Sequence, residues 1–517
     1  MRGSRAWLPL LVGAWLAPVR APAQARLPKH FDAEVARALA RFQVPGAVIA
    51  VVHDGRVLLL RGYGVRQVGG APVTPHTLFQ IGSNTKAFTA ASLAMLVDSA
   101  RINWDGRVTS YLPGFELADP WVTRQLTVRD LLTHRSGLGL GAGDLLWLHS
   151  TLSRPEILHR IRAARPATSF RASYAYDNVL YAVAGEIVPA VTHASWEAFV
   201  RTQILTPLDM TDTRTGIADL RPGDTLATPY ALVNNALQVV PLDTVDNIGP
   251  AASIISSGAD LLKWVQVQID SGRAGVTTVW STGQTREMWS PQTVIPIDDP
   301  EPPLAALRPN FFDYALGWRL RDYHGRKMVW HTGGLAGMTS RVTLVPEERI
   351  GIVVLTNGES DLPDALTFEL LDQFFKVPAT DWVTAFADVA DHDRAANDSL
   401  LATWRARRDT TSRPTLGLSR YVGVYRDSLY GDATIVLEHD TLVFRLSRSP
   451  AFTGALEPWQ YDTFITHWRA LNLADAFLTF DLSPDGSVAG IRMAAVSPLA
   501  DFSFDYQDLH FVSVRAR

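Results

Sequence analysis

The amino-acid sequence predicts an α+β fold followed by an all-β C-terminal domain. Three observations carry that expectation: a strand hairpin near the start, strands and a helix between Lys327 and Phe375 that can return to it, and a change to short strands beyond Ala379. Gly46 to Val57 reads GAVIAVVHDGRV and continues apolar to Leu60. An apolar run, an Asp-Gly turn and a second run are the pattern of a hairpin of buried strands. After Ile81-Gly82 strand gives way to helix, with Phe88, Leu93 and Leu96 on one helical face behind Ser83. From Leu126 to Val377, helical patterns over 126–133, 181–205 and 259–271 alternate with Gly- and Pro-rich loops. Strand-like runs over 327–331, 341–345 and 350–355 and a helix over 368–375 close this region, so its two ends are expected to meet in one sheet.

Beyond Ala379, Asp381 to Arg408 is charged, Ala-rich and helical in pattern, and Asp409 to Leu418 has the Pro/Gly/Ser/Thr content of a linker. Strands then follow at Val422 to Tyr425, Thr434 to Leu446 with a turn near His439-Asp440, Phe477 to Leu482, and through the turn Pro484-Asp485-Gly486 to Met493. Short strands with regular turns predict a small antiparallel sheet or barrel. The expected division is 1–25, 26–379, 380–417 and 418–517. Tyr430, Trp459, Phe464, Trp468 and Phe480 fit core packing better than a pocket lining.

The chain has 517 residues, net charge −4, 47% hydrophobic residues and no cysteine. Absence of cysteine removes disulfide scaffolds, cysteine nucleophiles and thiolate metal sites. A slightly acidic balance gives no footprint for nucleic acid. Residues 1–25 read as an export signal, because Arg2 and Arg5 precede the apolar run Trp7 to Leu16, and Ala21, Ala23 and Ala25 offer cleavage positions. The expected product is periplasmic or secreted, with no membrane span after cleavage. G-x-S-x-G, H-E-x-x-H and Walker-type motifs do not occur, and the thirteen histidines are scattered, so neither metal nor cofactor is expected. His134, at a helix-to-loop junction, is expected to be structural, satisfying backbone carbonyls.

Lysine is rare, with only Lys29, Lys86, Lys263, Lys327 and Lys376 among 48 basic residues. Lys86 lies three residues after Ser83, one helical turn away on the same face. A serine hydroxyl needs a base to become a nucleophile, and a buried lysine with a lowered pKa can be that base. Tyr176 and Asn178 precede a helix within YAYDN, where Tyr176 can take the Ser83 proton or donate to a leaving group. Asn178 can hold a substrate amide or orient Lys86. At Trp330-His331-Thr332-Gly333-Gly334 a strand ends in glycines that let substrate backbone approach. The Ser83 and Gly334 N–H groups can form an oxyanion hole, with His331 beside it as donor or shuttle.

The ordered set S-x-x-K, Y-x-N and H-T-G resembles the serine β-lactamase and penicillin-binding protein superfamily, specifically its class C-like hydrolases, which include esterases and D-amino-acid peptidases. FQIGSNTKAFTA, LTVRDLLTHRSGL, YDNVLYAVAGEIV and HTGGLAGMTS extend the resemblance over Pro28 to Val377. It implies an antiparallel sheet flanked by helices with a helical subdomain, and a lipocalin-like barrel for the appended domain. It also implies Ser83 as acylated nucleophile, Lys86 as its base partner, Tyr176 as second proton-transfer group, and Asn178, Thr332 and Gly333 on the substrate side. His331 stands where β-lactamases and transpeptidases usually carry lysine. That departure points towards a D-amino-acid-directed peptidase or small-ester esterase, acting on a small molecule or peptide with an amide or ester carbonyl. A β-lactamase is the alternative, and a catalytically silent binding module the alternative of another class.

Overall fold

The computed structural model describes residue 27 and residues 30–233 and 235–514; the expected export signal lies outside the described residues. Helix α1 (Phe31–Arg41) leads into the hairpin β1 (Gly46–His53) and β2 (Arg56–Gly64). Helix α2 (Thr85–Asp98) starts the helical region, which includes α3 (Val179–Thr192) and α4 (Gly258–Ile269). The chain returns through β3 (Thr293–Val294), β4 (Phe312–Tyr314), β5 (Arg319–Tyr323), β6 (Arg326–Leu335), β7 (Met338–Val345) and β8 (Ile350–Thr356). Together these strands form one eight-stranded sheet in the order β2-β1-β8-β7-β6-β5-β4-β3. The first strand pairs with the last, from Ala47 opposite Thr356 to His53 opposite Ile350, so the two ends of this region meet as expected.

The sheet is covered on both faces, which explains why β1 reads as a continuous apolar run rather than an alternating one. Val48, Ala50 and Val52 face a core shared with Phe88, Leu93 and Trp264 of α2 and α4. Ile49 and Val51 point the other way, into a core with Phe31 of α1, with Leu366 and Phe368 of α5 (Leu362–Phe375), and with Trp382 at the start of α6 (Trp382–Arg407). Two helical expectations are revised. The 181–205 pattern is broken at His193, which takes a left-handed φ of 62°, and Ser195 caps a new short helix, Trp196–Val200, by accepting from Ala198 N at 3.1 Å. The 126–133 helix shrinks to Val128–Leu131, fixed by a reciprocal cap between Thr127 and Asp130.

The C-terminal strands β9 (Gly423–Asp427), β10 (Gly431–Glu438), β11 (Thr441–Leu446), β12 (Thr453–Gln460), β13 (Thr463–Trp468), β14 (Ala476–Leu482), β15 (Val488–Ala495) and β16 (His510–Ser513) form a closed antiparallel barrel. Closure of β16 on β9 leaves no exposed sheet edge. Phe464, Phe480 and Tyr421 fill the interior, with ring centroids 4.6 Å apart for Tyr421 and Phe480. The barrel also docks on the helical region. Gly143 N donates to Tyr430 Oη at 3.2 Å, Thr151 N to Arg448 O at 2.7 Å, and the Arg160 guanidinium to Leu429 O at 3.0 Å. Apolar contact is continuous across this seam.

Candidate active site

Ser83 occupies a single 3-10 turn, Gly82–Asn84, that runs directly into α2. Gly82 has φ +50°, and a Cβ there would lie 2.9 Å from Gly334 N, so the turn is pressed against the end of β6. Asn84 Nδ2 donates to Ser340 Oγ at 2.8 Å, and Ser340 Oγ donates to Ile81 O at 2.8 Å. These bonds tie the turn to β7 and leave Ser83 half-buried, reachable from the cleft.

One helical turn on, Lys86 is fully buried. Its Nζ lies 3.0 Å from Ser83 Oγ, 2.7 Å from Asn178 Oδ1 and 3.1 Å from Ala251 O. Burial pulls its pKa down to about 7, against the opposing pull of the Asp144 and Asp177 carboxyls and with some help from Arg319. The amine is therefore available as a base near neutral pH.

Tyr176 and Asn178 come to the same place from the segment before α3. The Tyr176 ring lies 4.8 Å from Lys86 Nζ. Burial raises the Tyr176 pKa well above the ordinary phenol value, so at neutral pH it is a proton donor. The nearby Ser83 hydroxyl tempers that rise, although no hydrogen bond of normal geometry joins them. His134 backs the Tyr176 ring at 4.2 Å between centroids, and its Nδ1 accepts from Asp177 N at 3.0 Å. It thus serves a backbone N–H rather than the carbonyl expected from its position.

Both nitrogens of the buried His331 are engaged. Nδ1 donates to Thr332 O at 2.6 Å, which leaves Nε2 to accept from Tyr314 Oη at 2.9 Å. Burial, reinforced by Arg319 and Lys86, holds its pKa well below the usual imidazole range, so the ring is neutral. Thr332 is half-buried beside it. Gly333 has a packing reason for lacking a side chain: a Cβ there would fall 1.9 Å from Ile81 O, so its backbone lies against the serine turn itself. Gly334 is the open position, since a Cβ there would meet nothing within 4 Å.

Two residues of this wall lie outside the three sequence motifs. Tyr314 holds His331, and Arg319 lies half-buried on β5 opposite Trp330. The Arg319 guanidinium is 5.5 Å from the Trp330 ring and 5.7 Å from the Tyr176 ring. Among the described residues it has no ion-pair partner, and its Nε is buried without a hydrogen bond. The third motif carries no lysine, and the guanidinium beside it is that of Arg319 on the neighbouring strand.

The beta-lactamase family profile matches residues 31–372, nearly the whole region that builds this site. The chain belongs to the beta-lactamase family. A domain of unknown function, DUF3471, matches residues 407–513, the barrel and the end of α6. The unguisins hydrolase ungD' of Aspergillus campestris is 30% identical over 90% of this chain and 89% of its own length. The octameric penicillin-binding protein homologue from Pyrococcus abyssi shares the fold with TM-score 0.59 at 21% identity, over 90% of this chain and 97% of that one. The D-amino acid amidase from Ochrobactrum anthropi does so with TM-score 0.54 at 22% identity, over 67% of this chain and 96% of that one. As a beta-lactamase-family chain, this protein is a hydrolase by descent, with a closed barrel added.

Glu301, His392 and Asp393 are the group close enough to share an ion among the described residues, and all three are exposed. No helix among the described residues is long and apolar enough to cross a membrane. A surface cleft of about 470 Å³ lies at the barrel seam between Arg165 and Asp427 and contains none of the motif residues.

Proposed function

We propose that this protein is an exported serine hydrolase that opens an amide or ester carbonyl with Ser83 and passes through an acyl-enzyme. The observation that carries the reading is the buried Lys86 amine, 3.0 Å from Ser83 Oγ with a pKa of about 7. Lys86 takes the Ser83 proton as Oγ attacks. The Ser83 and Gly334 N–H groups stabilise the oxyanion, and the neutral Tyr176 phenol protonates the leaving group. Water activated through Lys86 and Tyr176 then releases the acyl group. Asn178 orients Lys86, Thr332 contacts substrate, and His331 acts as a neutral link that holds Tyr314. Residues 1–25 direct export, supported by Arg2 and Arg5 before the apolar run.

The favoured substrate is a D-amino-acid derivative or a small ester. A hydrolase relative at 30% identity and a fold shared with an amino acid amidase support carbonyl hydrolysis. A second reading, β-lactam hydrolysis, draws support from Arg319, because its cation, unpaired among the described residues, offers a carboxylate the fixed charge that His331 lacks. Intact-mass detection of a fluorophosphonate adduct, present in the parent and absent in Ser83→Ala, tests the nucleophile; no adduct on folded parent would instead make the cleft a binding site. A panel of nitrocefin, p-nitrophenyl acetate and D- and L-alanyl anilides separates the substrate readings. Strong nitrocefin turnover with inert esters and anilides would reverse the ranking.

A further inference from the structure

Behind Asn178 stands Asp144, fully buried in the helical region and used by none of the steps above. Its carboxyl accepts from Asn178 Nδ2 at 2.9 Å, Trp147 Nε1 at 2.8 Å and Ser503 Oγ at 2.8 Å. Ser503 comes from the barrel, on the segment between β15 and β16, 359 residues further along the chain. Its neighbour Phe502 lies 5.6 Å from the Tyr176 ring, edge on, so this segment reaches the reacting groups from the barrel side.

The orientation of the Asn178 amide decides what Lys86 can do. A carboxylate only accepts, so Asp144 takes Nδ2 and turns Oδ1 towards Lys86. A neutral amine has two N–H bonds and one lone pair. Asn178 Oδ1 and Ala251 O can only accept, so each takes one N–H, and the lone pair is left facing Ser83 Oγ. A reversed amide would turn an NH₂ towards Lys86, claim the lone pair and spoil the base.

We infer that Asp144 and Ser503 are positioning residues for Lys86, and that the barrel thereby completes the catalytic site. The inference rests on the reading of Ser83 as nucleophile and Lys86 as base. Around Lys86 stand Asp144, Asp177, Arg319, the Tyr176 and Tyr181 rings, and the neutral His134 and His331. Asp177, Asp505 and Tyr430 also feel the Asp144 charge. Of these acidic groups, Asp144 alone is hydrogen-bonded to Asn178. Burial raises the Asp144 pKa to about 6, and its three donors keep it ionised at neutral pH.

The test uses the full-length protein and the rate of fluorophosphonate labelling of Ser83 from pH 5 to 9, in the parent, Ser503→Ala, Ser503→Thr and Asp144→Asn. Ser503→Ala is expected to slow labelling by about tenfold, and Asp144→Asn by more. Both move the midpoint of the ascending limb to lower pH, because Lys86 loses part or all of an anionic neighbour that favours its charged form. Ser503→Thr, which keeps the hydroxyl, restores the parent profile. A folded Ser503→Ala with the parent rate and midpoint overturns the inference, as does a slower variant whose midpoint stays put and which Thr does not rescue. A parent that never labels overturns the nucleophile reading and this one together; a parent that labels while Ser503→Ala matches it overturns this one alone.

Discussion

Lys86 and Arg319 flank the same tyrosine and are held in contrasting ways. Every donor of the Lys86 amine has an acceptor within 3.1 Å, and the Asp144 carboxyl behind its partner Asn178 accepts from three donors of its own. The Arg319 guanidinium is stacked among Trp330, Phe312 and Tyr176 without an acidic partner among the described residues. A group that moves a proton gains from fixed geometry, since an ångström of drift costs rate. A group that captures an anion gains from having its donors uncommitted until the anion arrives. In the proposed reaction the proton-moving group thus stands on the helical wall and the uncommitted cation on the sheet wall.

The largest effect that can break this contrast is on the helical wall. Lys86→Met is expected to slow acylation of Ser83 by about 10³-fold. In the parent, the neutral amine is the active form and its fraction grows as pH rises through about 7, so the rate climbs across that range. Lys86→Met should flatten that climb; burst kinetics with p-nitrophenyl acetate between pH 5 and 9 measure both, and a retained ascending limb would assign it to another group. The sheet wall should respond differently. Arg319→Ala is expected to raise KM about tenfold for substrates carrying a free carboxylate, while kcat/KM for p-nitrophenyl acetate stays within about twofold. Equal losses on both substrates would make Arg319 a packing residue. The smallest change belongs to His331→Gln, which keeps hydrogen-bonding capacity towards Tyr314. A fall of about tenfold or less, with the pH midpoint unmoved, is expected because the ring is neutral throughout; loss of a limb below pH 7 would restore His331 as a proton shuttle.

Much of this is readable in the sequence because it is local. Ser83 and Lys86 lie one turn apart, and the β1 and β8 runs announce buried strands by their unbroken apolar character, whereas β2, expected to be buried with β1, is an edge strand buried only at Leu59. The helical pattern over 181–205 misleads because apolar periodicity continues past His193, where a left-handed residue and a Ser195 cap restart the chain. Strands over 453–460 and 463–468 carry aromatics that mark them as packed but not as paired. Asp144, Tyr314, Arg319 and Ser503 are invisible for another reason: each gains its meaning from a partner on another element, which residue spacing does not encode. Gly333 stands out in the sequence, and the close packing of the Ile81 backbone against it is a demand that spacing does not reveal.

The barrel seam has a consequence for how this protein can vary. Gly143 meets Tyr430, Thr151 meets Arg448, and Arg160 meets Leu429, at separations of 287, 297 and 269 residues along the chain. The Tyr430 hydroxyl and the Arg448 guanidinium, which also reaches Thr151 Oγ1 and Glu156, are side chains that a barrel borrowed from a distant relative would have to supply at the same two places, whereas Leu429 offers only its carbonyl. Drift in the helical region is therefore tied to drift in the barrel, and the two halves are expected to be inherited as a matched pair rather than shuffled as independent modules.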